Sequence, residues 1–339
     1  MALLLTAASI MVATAASVSL LMALPAAALA ETAGESNAAG RARVWLAALC
    51  VPPLLGMLVA GWALALYAQG PGASPHLGGF RPHLCFVPLI EAPGGPVAVQ
   101  AFAWLSLLLV AAAAARMLGT ALSAHLLRRM MLASGAPLDG GEQPPLLVEL
   151  GRPVSFTAGL LCPVTVLSTS LRARLSAEEL EAVLAHERAH LRRRDNLARL
   201  AADASATLLV IMPTVWYYRR RLRSALEEAA DDAAVAMGVQ PEDLAGALSA
   251  MEAAAERGPR EPSLAELLIP EPALPAARRA RLEAMEAGAF SAVGGRGRVA
   301  MLLAALAGVA VVAILLVVAR RPVEDGLYCA AEQIIAAVR

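Results

Sequence analysis

Long apolar runs, separated by shorter polar stretches, dominate this 339-residue chain. Four runs lack charged side chains: residues 2–30, 44–68, 97–115 and 299–319. A helix of about 20 apolar residues crosses the roughly 30 Å hydrocarbon core of a bilayer. The pattern therefore predicts about four transmembrane helices. It also predicts one long polar insert, residues 117–298, between the third and the fourth.

The composition agrees with a membrane protein that carries a folded polar part. Apolar residues make up 58% of the chain and charged residues 17%, whereas soluble domains have about 45–50% and about 25%. The 28 basic and 28 acidic residues cancel, so no overall basic field favours direct nucleic-acid binding. The composition thus indicates the lipid bilayer as a partner.

The arginines predict the orientation of the spans, because arginines in short loops concentrate on the cytoplasmic side of a membrane. The second connection, residues 69–96, holds only Arg81. The polar segments around the other span ends hold several: Arg41, Arg43, Arg116, Arg128, Arg129, Arg278, Arg279, Arg281, Arg296 and Arg298. We therefore expect the N-terminus outside, residues 117–298 in the cytoplasm and residues 320–339 as a short exported tail.

The first apolar segment has an alternative interpretation. Ala28-Leu29-Ala30 resembles a signal-peptidase site, and cleavage there would reverse the orientation. The uncleaved span is favoured because the segment has no positive n-region. On that orientation Cys85 and Cys329 lie outside, where a disulfide can form, and two free thiols are the alternative.

The insert shows mixed patterns that are typical of an α+β domain. Residues 154–158 and 164–168 flank Gly159 and predict a β-hairpin. Ser176 and Glu179 form a capping box that begins a helix. Further helices are predicted over residues 196–212, 222–237 and 241–256, with Pro213 ending the first and Gly238 capping the second, and a loop over 257–275.

The capped helix contains the chain's clearest chemical motif, His186-Glu187-Arg188-Ala189-His190. The i, i+4 spacing places both imidazoles on one helical face, where they can hold one zinc ion, with Glu187 as the general base. Two unrelated surface histidines are the alternative interpretation.

A catalytic zinc site needs a third protein ligand and an open position for water. Residues 227–232 read Glu-Glu-Ala-Ala-Asp-Asp. A carboxylate with an aspartate four residues on can ligate the metal and orient a ligating histidine. Glu227 with Asp231 and Glu228 with Asp232 both satisfy this spacing.

These motifs resemble the integral-membrane zinc peptidases of the BlaR/MecR antirepressor type, metallopeptidase family fifty-six. The likeness is closest over residues 153–237, and the family's acidic motif favours Glu227 as the ligand and Asp231 as the residue that orients a histidine. Met212 and Ala230 depart from the usual Asn and Cys.

The resemblance implies a gluzincin-like domain in a bacterial inner membrane. It implies Zn²⁺-assisted peptide hydrolysis, in which Glu187 takes a proton from water and delivers it to the leaving amine. The implied substrate is a transcriptional repressor or a membrane protein, cleaved in signal transduction or regulated proteolysis. Assembly of the chain as a homodimer is compatible with the resemblance. Without lysine, the chain cannot contain the Ser-x-x-Lys motif of a penicillin sensor. A non-catalytic receptor or scaffold with a structural zinc site is the alternative function.

Two further expectations concern the insert's place at the membrane. Residues 200–218 contain one charge, Asp203, but a single crossing there would separate His190 from Glu227. We therefore expect this stretch to return the chain to the same side. The cluster Arg278, Arg279 and Arg281 is interpreted as an electrostatic membrane anchor.

Overall fold

The computed structural model describes residues 2–32, 37–68, 97–138, 144–255 and 275–286. The described chain is mostly helical and contains one small mixed sheet. Within these ranges three helices are long and apolar enough to cross a membrane, with candidate spans at Leu3–Leu21, Ala38–Ala65 and Val97–Ser134. The predicted fourth span, 299–319, lies outside the described residues, as do Cys85 and Cys329.

The first apolar segment forms two helices rather than the one continuous helix that the sequence predicts. Helix α1 covers Ala2–Leu21 and α2 covers Ala23–Thr32. The interruption at Met22 has a local cause, because Pro25 has no N–H to donate to the carbonyl group of Leu21. The candidate span is correspondingly shorter than residues 2–30.

The third apolar segment continues well past its predicted end at residue 115. Helix α3 covers Ala38–Ala68, and α4 covers Val97–Ser134 without an internal proline. The 38 residues of α4 give a rod about 57 Å long. Its last turns pack on the sheet, where Leu127 and Met131 share a core with Phe156 and Val166. Residue 117, the predicted start of the polar insert, therefore lies inside a helix.

The predicted hairpin is confirmed as part of a larger sheet. The strands are β1 at Ala136–Pro137, β2 at Leu146–Val148, β3 at Ser155–Ala158 and β4 at Val164–Ser168, in the order β1-β2-β4-β3. Strands β3 and β4 pair antiparallel, whereas β2 and β4 pair parallel. The β3–β4 connection begins at Gly159, whose φ of +101° suits glycine. Among the described strands, β3 forms one edge of the sheet.

Within the described part of the chain, six helices follow the sheet. They are α5 at Thr169–Arg172, α6 at Ala177–Arg193, α7 at Asp195–Leu208, α8 at Pro213–Ala236, α9 at Pro241–Ala255 and α10 at Pro275–Glu286. The capping box of Ser176 and Glu179 is confirmed at the start of α6. Gly238 follows α8 with a φ of +98°, as its predicted capping role requires.

The predicted boundary between the next two helices is wrong. Helix α7 ends at Leu208 rather than Met212, and α8 begins at Pro213 rather than residue 222. Proline ends a helix that approaches it, but at the first position of a new helix its missing N–H costs nothing. Pro213 therefore begins α8, and α7 and α8 form a helical hairpin.

The largest core joins this hairpin to the N-terminal helices. Trp45 of α3 stacks on Tyr218 of α8 with ring centroids 5.5 Å apart, and Leu49 is completely buried in the same cluster. The other buried members come from α1, α2, α3, α7, α8 and the turn at Leu209: Ala15, Ala26, Ala30, Ala42, Ala48, Ala202, Ala206, Leu209, Val215, Leu222, Ala225 and Leu226. The α7–α8 hairpin is thus packed directly against candidate membrane spans.

Candidate metal site

Two histidines of α6 face each other one helical turn apart. His186 and His190 project from the same face, and their Nε2 atoms lie 3.1 Å apart. The rings meet edge to face, with centroids separated by 4.7 Å. The i, i+4 spacing therefore brings both ring nitrogens to one point.

Glu227 of α8 completes a group of three possible ligands. Its Oε2 atom lies 3.6 Å from Nε2 of His186, and its Oε1 atom lies 3.7 Å from Nε2 of His190. The three residues are buried, and one donor atom from each lies within 4.8 Å of the others. Helices α6 and α8 pack against each other, which brings positions 186 and 227 together.

The outer nitrogens of both rings are held by carboxylates. His186 Nδ1 donates to Oδ1 of Asp231 at 2.8 Å, and His190 Nδ1 donates to Oδ2 of Asp195 at 2.6 Å. With hydrogen assigned to each Nδ1 from its partner, both Nε2 lone pairs point at each other and at the Glu227 carboxylate. This arrangement requires a cation, either a proton or a metal ion.

The spacing fits a zinc ion. Two nitrogens bound to one tetrahedral zinc ion at about 2.0–2.1 Å lie about 3.3 Å apart, close to the 3.1 Å between the two Nε2 atoms. Nitrogen and carboxylate donors, with carboxylates orienting both imidazoles, form a donor set that suits Zn²⁺. His186, His190 and Glu227 are the residues that could hold it.

Glu228, the alternative third ligand, faces another helix. Its carboxylate forms an ion pair with Arg41 of α3 and lies 4.0 Å from Nε of Arg281. Asp232, the aspartate that the sequence pairs with Glu228 at a spacing of four residues, bonds to Arg281 at 2.7 Å. The structure therefore brings Glu227 and Asp231 to the histidines, and it places Glu228 and Asp232 away from them.

Arg278 enters the same site from α10, where sequence reasoning expected a membrane anchor. Its guanidinium bonds to Asp231 at 2.6 Å and 3.0 Å and to Oε2 of Glu227 at 3.2 Å, and the residue is only 8% exposed. Two buried carboxylates require compensating charge, and Arg278 supplies it. The anchor interpretation is therefore wrong for Arg278.

The charges of the site shift the pKa values of its members. Burial opposes ionisation of Glu227, but the adjacent His186, His190 and Arg278 hold its pKa well below the usual range. Burial also opposes ionisation of Asp231, but Arg278 and His186 lower its pKa to about 2. Burial disfavours charge on His190, yet Asp195 and Glu227 raise its pKa to about 9. In the metal-free chain a proton on His190 therefore supplies the cation.

Glu187 lies beside the ligand group at a small cavity. Its Oε2 atom accepts a 2.9 Å hydrogen bond from Oγ1 of Thr157 on β3. The cavity, of about 140 Å³, is lined by Glu187, by the three possible ligands and by β3, α9 and α10. A buried carboxylate at such a cavity can exchange a proton with a molecule held there.

The edge strand β3 is fixed against the site by Asn196 of α7. The Asn196 side chain donates to the carbonyl oxygens of Thr157 and Gly159 at 2.9 Å and 2.8 Å. The carbonyl oxygen of Val154 accepts a hydrogen bond from the N–H of Ser168 in β4. Because successive residues of a strand direct their backbone groups to opposite sides, the N–H and C=O groups of Ser155 lie on the outer edge of the sheet. An extended peptide can pair with that edge next to the cavity.

Sequence reasoning missed Asp195, Thr157 and Arg199, besides misplacing Arg278. Asp195 reaches His190 because Arg194 adopts a left-handed φ of 55° and turns the chain back between α6 and α7. An aspartate just beyond the end of the helix, five residues after His190, was the available signal. Arg199, whose guanidinium bonds to Oε1 of Glu227 at 2.5 Å, gave no comparable signal.

Comparison with known proteins adds one finding. No curated protein and no solved structure matches the chain. A family model described as BlaR1 peptidase M56 matches residues 97–243, which include α4, the whole sheet and all three possible metal ligands. This segment, 147 of the 339 residues, is therefore similar to the BlaR1 peptidase M56 family.

Proposed function

We propose that the chain is a membrane-embedded, zinc-dependent endopeptidase of the gluzincin type. The similarity of residues 97–243 to the M56 family supports a membrane-associated metallopeptidase. The observation that carries the finer proposal is the convergence of His186, His190 and Glu227 within 4.8 Å, with both imidazoles oriented by carboxylates. The proposed substrate is a cytoplasmic or membrane-proximal protein, cleaved in signalling or regulated proteolysis.

In this proposal His186, His190 and Glu227 hold Zn²⁺ through Nε2, Nε2 and a carboxylate oxygen. When bound there, the ion would supply the Lewis acidity that activates a water molecule and the scissile carbonyl. Asp231 and Asp195 keep each Nε2 lone pair aimed at the ion. The two histidines and Arg278 hold the pKa of Glu227 well below its usual range, so that its carboxylate is available as a ligand at neutral pH. Arg199 bonds to Oε1 of the same carboxylate.

Glu187 acts as the general base and then as the general acid. It takes a proton from the attacking water and delivers it to the amine that leaves. The hydrogen bond from Thr157 fixes one oxygen of Glu187, so Thr157 acts as a positioning residue. The substrate lies extended along β3 and pairs with Ser155 at the strand's outer edge, as in β-strand addition.

The alternative, a structural zinc site in a non-catalytic receptor or scaffold, is less well supported. Structural zinc sites are closed by four protein ligands. Among the described residues, three possible ligands meet, and they line a cavity beside a buried glutamate. That arrangement favours a catalytic site with room for water.

The test uses the full chain, purified in lipid nanodiscs and loaded with zinc. We expect about one zinc ion per chain by mass spectrometry, and cleavage of peptides from a proteome-derived library. Glu187→Gln should retain zinc and lose cleavage by at least about 100-fold. Glu178→Gln, at an exposed position near the start of the same helix, is the matched control. Full cleavage by Glu187→Gln would refute the proposed role.

The same pair of variants identifies the substrate in cells. A protein that accumulates in the membrane or soluble proteome of the Glu187→Gln strain, but not in the Glu178→Gln strain, is the candidate. Cell fractionation with a tag at either terminus tests the proposed location of the peptidase part in the cytoplasm of a bacterial cell. If the tags show that residues 117–298 lie outside the cytoplasm, that orientation is overturned.

A further inference from the structure

We propose that the tip of the α7–α8 hairpin, residues 204–218, is inserted into the hydrocarbon of the bilayer beside the candidate spans. The ligand for this surface is the acyl-chain region of membrane lipid. The proposal concerns how deep the hairpin lies, so it stands whether or not the site hydrolyses peptides.

Contacts with α1 place the tip at the depth of a span. Leu208, the last residue of α7, shares a buried cluster with Val12 of α1 and Leu109 of α4. Val12 is midway between Leu3 and Leu21, the ends of the first candidate span. At 1.5 Å per residue it lies about 13 Å from either end. Leu208 therefore reaches the central part of that span.

Contacts with α3 give the same depth from another direction. Ser205 of α7 bonds to the thiol of Cys50 at 3.8 Å, whereas Glu228 of α8 pairs with Arg41. Arg41 and Cys50 are nine positions apart on α3, a distance of about 13 Å along the axis. Since a charged arginine at a span end lies in the headgroup region, Ser205 lies below it, inside the hydrocarbon.

Charged side chains are absent from the part of the hairpin that these contacts place inside the hydrocarbon. Residues 204–218 contain no charged side chain. Directly above them, Asp203 of α7 and Arg219 of α8 form a 2.7 Å ion pair, level with the Trp45–Tyr218 stack. A paired charge and aromatic rings at one level are typical of the edge of the hydrocarbon.

The turn at the tip satisfies its own polar groups, as backbone in lipid must. Leu209 N donates to the carbonyl of Ser205, and Met212 N donates to the carbonyl of Leu209, at 3.1 Å and 2.8 Å. The indole N–H of Trp216 donates to the carbonyl of Val210 at 3.1 Å. A turn in water would have no need of this last bond, because water can serve both groups.

The outward surface of the tip is apolar, like the exposed faces of the spans on which the hairpin packs. Ile211 is 54% exposed and Trp216 55% exposed, and Val210 and Tyr217 are exposed beside them. Leu54 and Leu108, which belong to candidate spans, are 53% and 64% exposed. Lipid covers the exposed faces of the spans, and Leu208 packs against Val12 and Leu109 of two of them. Acyl chains are therefore favoured as the occupant of the tip's surface.

The depth of the tip sets the position of the candidate metal site. Glu227 lies eight residues beyond Arg219 on α8, about 12 Å further from the hydrocarbon. The site therefore stands at the level of the lipid headgroups. If the proposed function holds, its substrate class is a peptide segment within about a dozen ångströms of the membrane surface.

The depth is measured by spin labelling in nanodiscs. Ile211→Cys carries a nitroxide in a background in which Cys50, Cys85, Cys162 and Cys329 are replaced by serine. The references are Leu54→Cys, on a candidate span, and Glu178→Cys, at an exposed position of α6. We expect the label at 211 to collide more with oxygen than with a water-soluble nickel chelate, as the label at 54 does. Accessibility to nickel equal to that at 178 would overturn the proposal.

A second measurement avoids the cysteine background. With Trp45, Trp62 and Trp104 replaced by phenylalanine, Trp216 is the single tryptophan, and its emission is excited selectively over that of the tyrosines. We expect lipids brominated on their acyl chains to quench at least half of its emission, and iodide to quench little of it. Quenching by iodide alone, or by neither agent because a second copy of the chain covers the tip, would overturn the proposal. Neither readout depends on peptidase activity, so failure here is distinguishable from failure of the proposed function.

Discussion

His190 and Asp195 meet across the bend between α6 and α7 through a hydrogen bond of 2.6 Å from Nδ1 to Oδ2. Asp195 is almost fully buried, and its carboxylate also forms an ion pair with Arg193 at 3.0 Å. The bond fixes which nitrogen of His190 faces the ligand group. We therefore expect Asp195→Asn to lower zinc affinity by about 10–100-fold. Competition with a fluorescent chelator measures the affinity. Glu242→Gln, exposed on α9, should be neutral, and unchanged affinity in Asp195→Asn would contradict the assigned role.

Zinc affinity should rise with pH, because a proton and a metal ion compete for Nε2 of His190. With the pKa of His190 raised to about 9, each pH unit below that value changes the apparent affinity by about tenfold. Between pH 6 and 8 the dissociation constant should fall by about 100-fold, as measured by chelator competition. An affinity that is flat over this range would contradict the raised pKa.

The same pKa predicts how the metal-free protein responds to alkali. A histidine whose pKa is raised by folding contributes stability that is complete below its ordinary value of about 6.5. This contribution is lost as the pH rises toward 9. The melting temperature of the metal-free chain should therefore fall over this interval, and Asp195→Asn should reduce the fall.

Glu227→Gln and Glu228→Gln distinguish the two possible third ligands. Glu227 lies 3.6 Å and 3.7 Å from the two Nε2 atoms, whereas Glu228 pairs with Arg41 on α3. The first variant should lose bound zinc after dialysis, and the second should keep about one ion per chain. Mass spectrometry of the dialysed proteins measures the number of zinc ions per chain and so distinguishes the two ligands. Zinc loss in Glu228→Gln alone would exchange the two assignments.

Arg278→Met should destabilise the metal-free protein more than the zinc-loaded protein. Removing one member of a buried ion pair costs about 3–5 kcal/mol, and Arg278 is the partner of both Asp231 and Glu227. A bound dication supplies part of the missing charge, so the loss of stability should shrink on adding zinc. Arg279→Met is the matched control, since Arg279 pairs with Glu252 at a more exposed position. Equal losses with and without zinc would contradict this explanation.

Gly56→Ala should loosen the packing of α1 on α3. A Cβ at residue 56 would collide with the backbone carbonyl oxygen of Met11, whereas a Cβ at residue 61 of the same helix meets nothing within 4 Å. Overpacking of this kind costs about 1–3 kcal/mol, but Gly61→Ala should stabilise the helix slightly. Thermal unfolding in nanodiscs compares the two variants, and equal behaviour would contradict the close contact.

Local patterns predicted those parts of the structure that neighbours in sequence determine. Ser176 and Glu179 cap α6 as expected, Gly159 begins the connection of a hairpin, and His186 and His190 share a helical face. Each depends on residues within one or two turns of each other. For the same reason, the three apolar runs within the described residues predicted helices correctly, although Pro25 divides the first.

Contacts between distant residues could not be predicted in this way. Arg278 reaches Asp231 across 47 positions of the chain, and nothing in its local sequence distinguishes it from a surface arginine. Thr157 finds Glu187 only because β3 packs beside α6. Pro213 was misread because a proline after an apolar helix fits both the end of one helix and the start of the next.

Helix α4 has a mechanical consequence. It runs from Val97 to Ser134 without a proline, and Leu127 and Met131 lock its far end to Phe156 of β3 and Val166 of β4. A continuous helix of this kind has no proline kink at which it could bend. A tilt imposed on its membrane end is therefore transmitted to β3, the strand that borders Glu187 and its cavity.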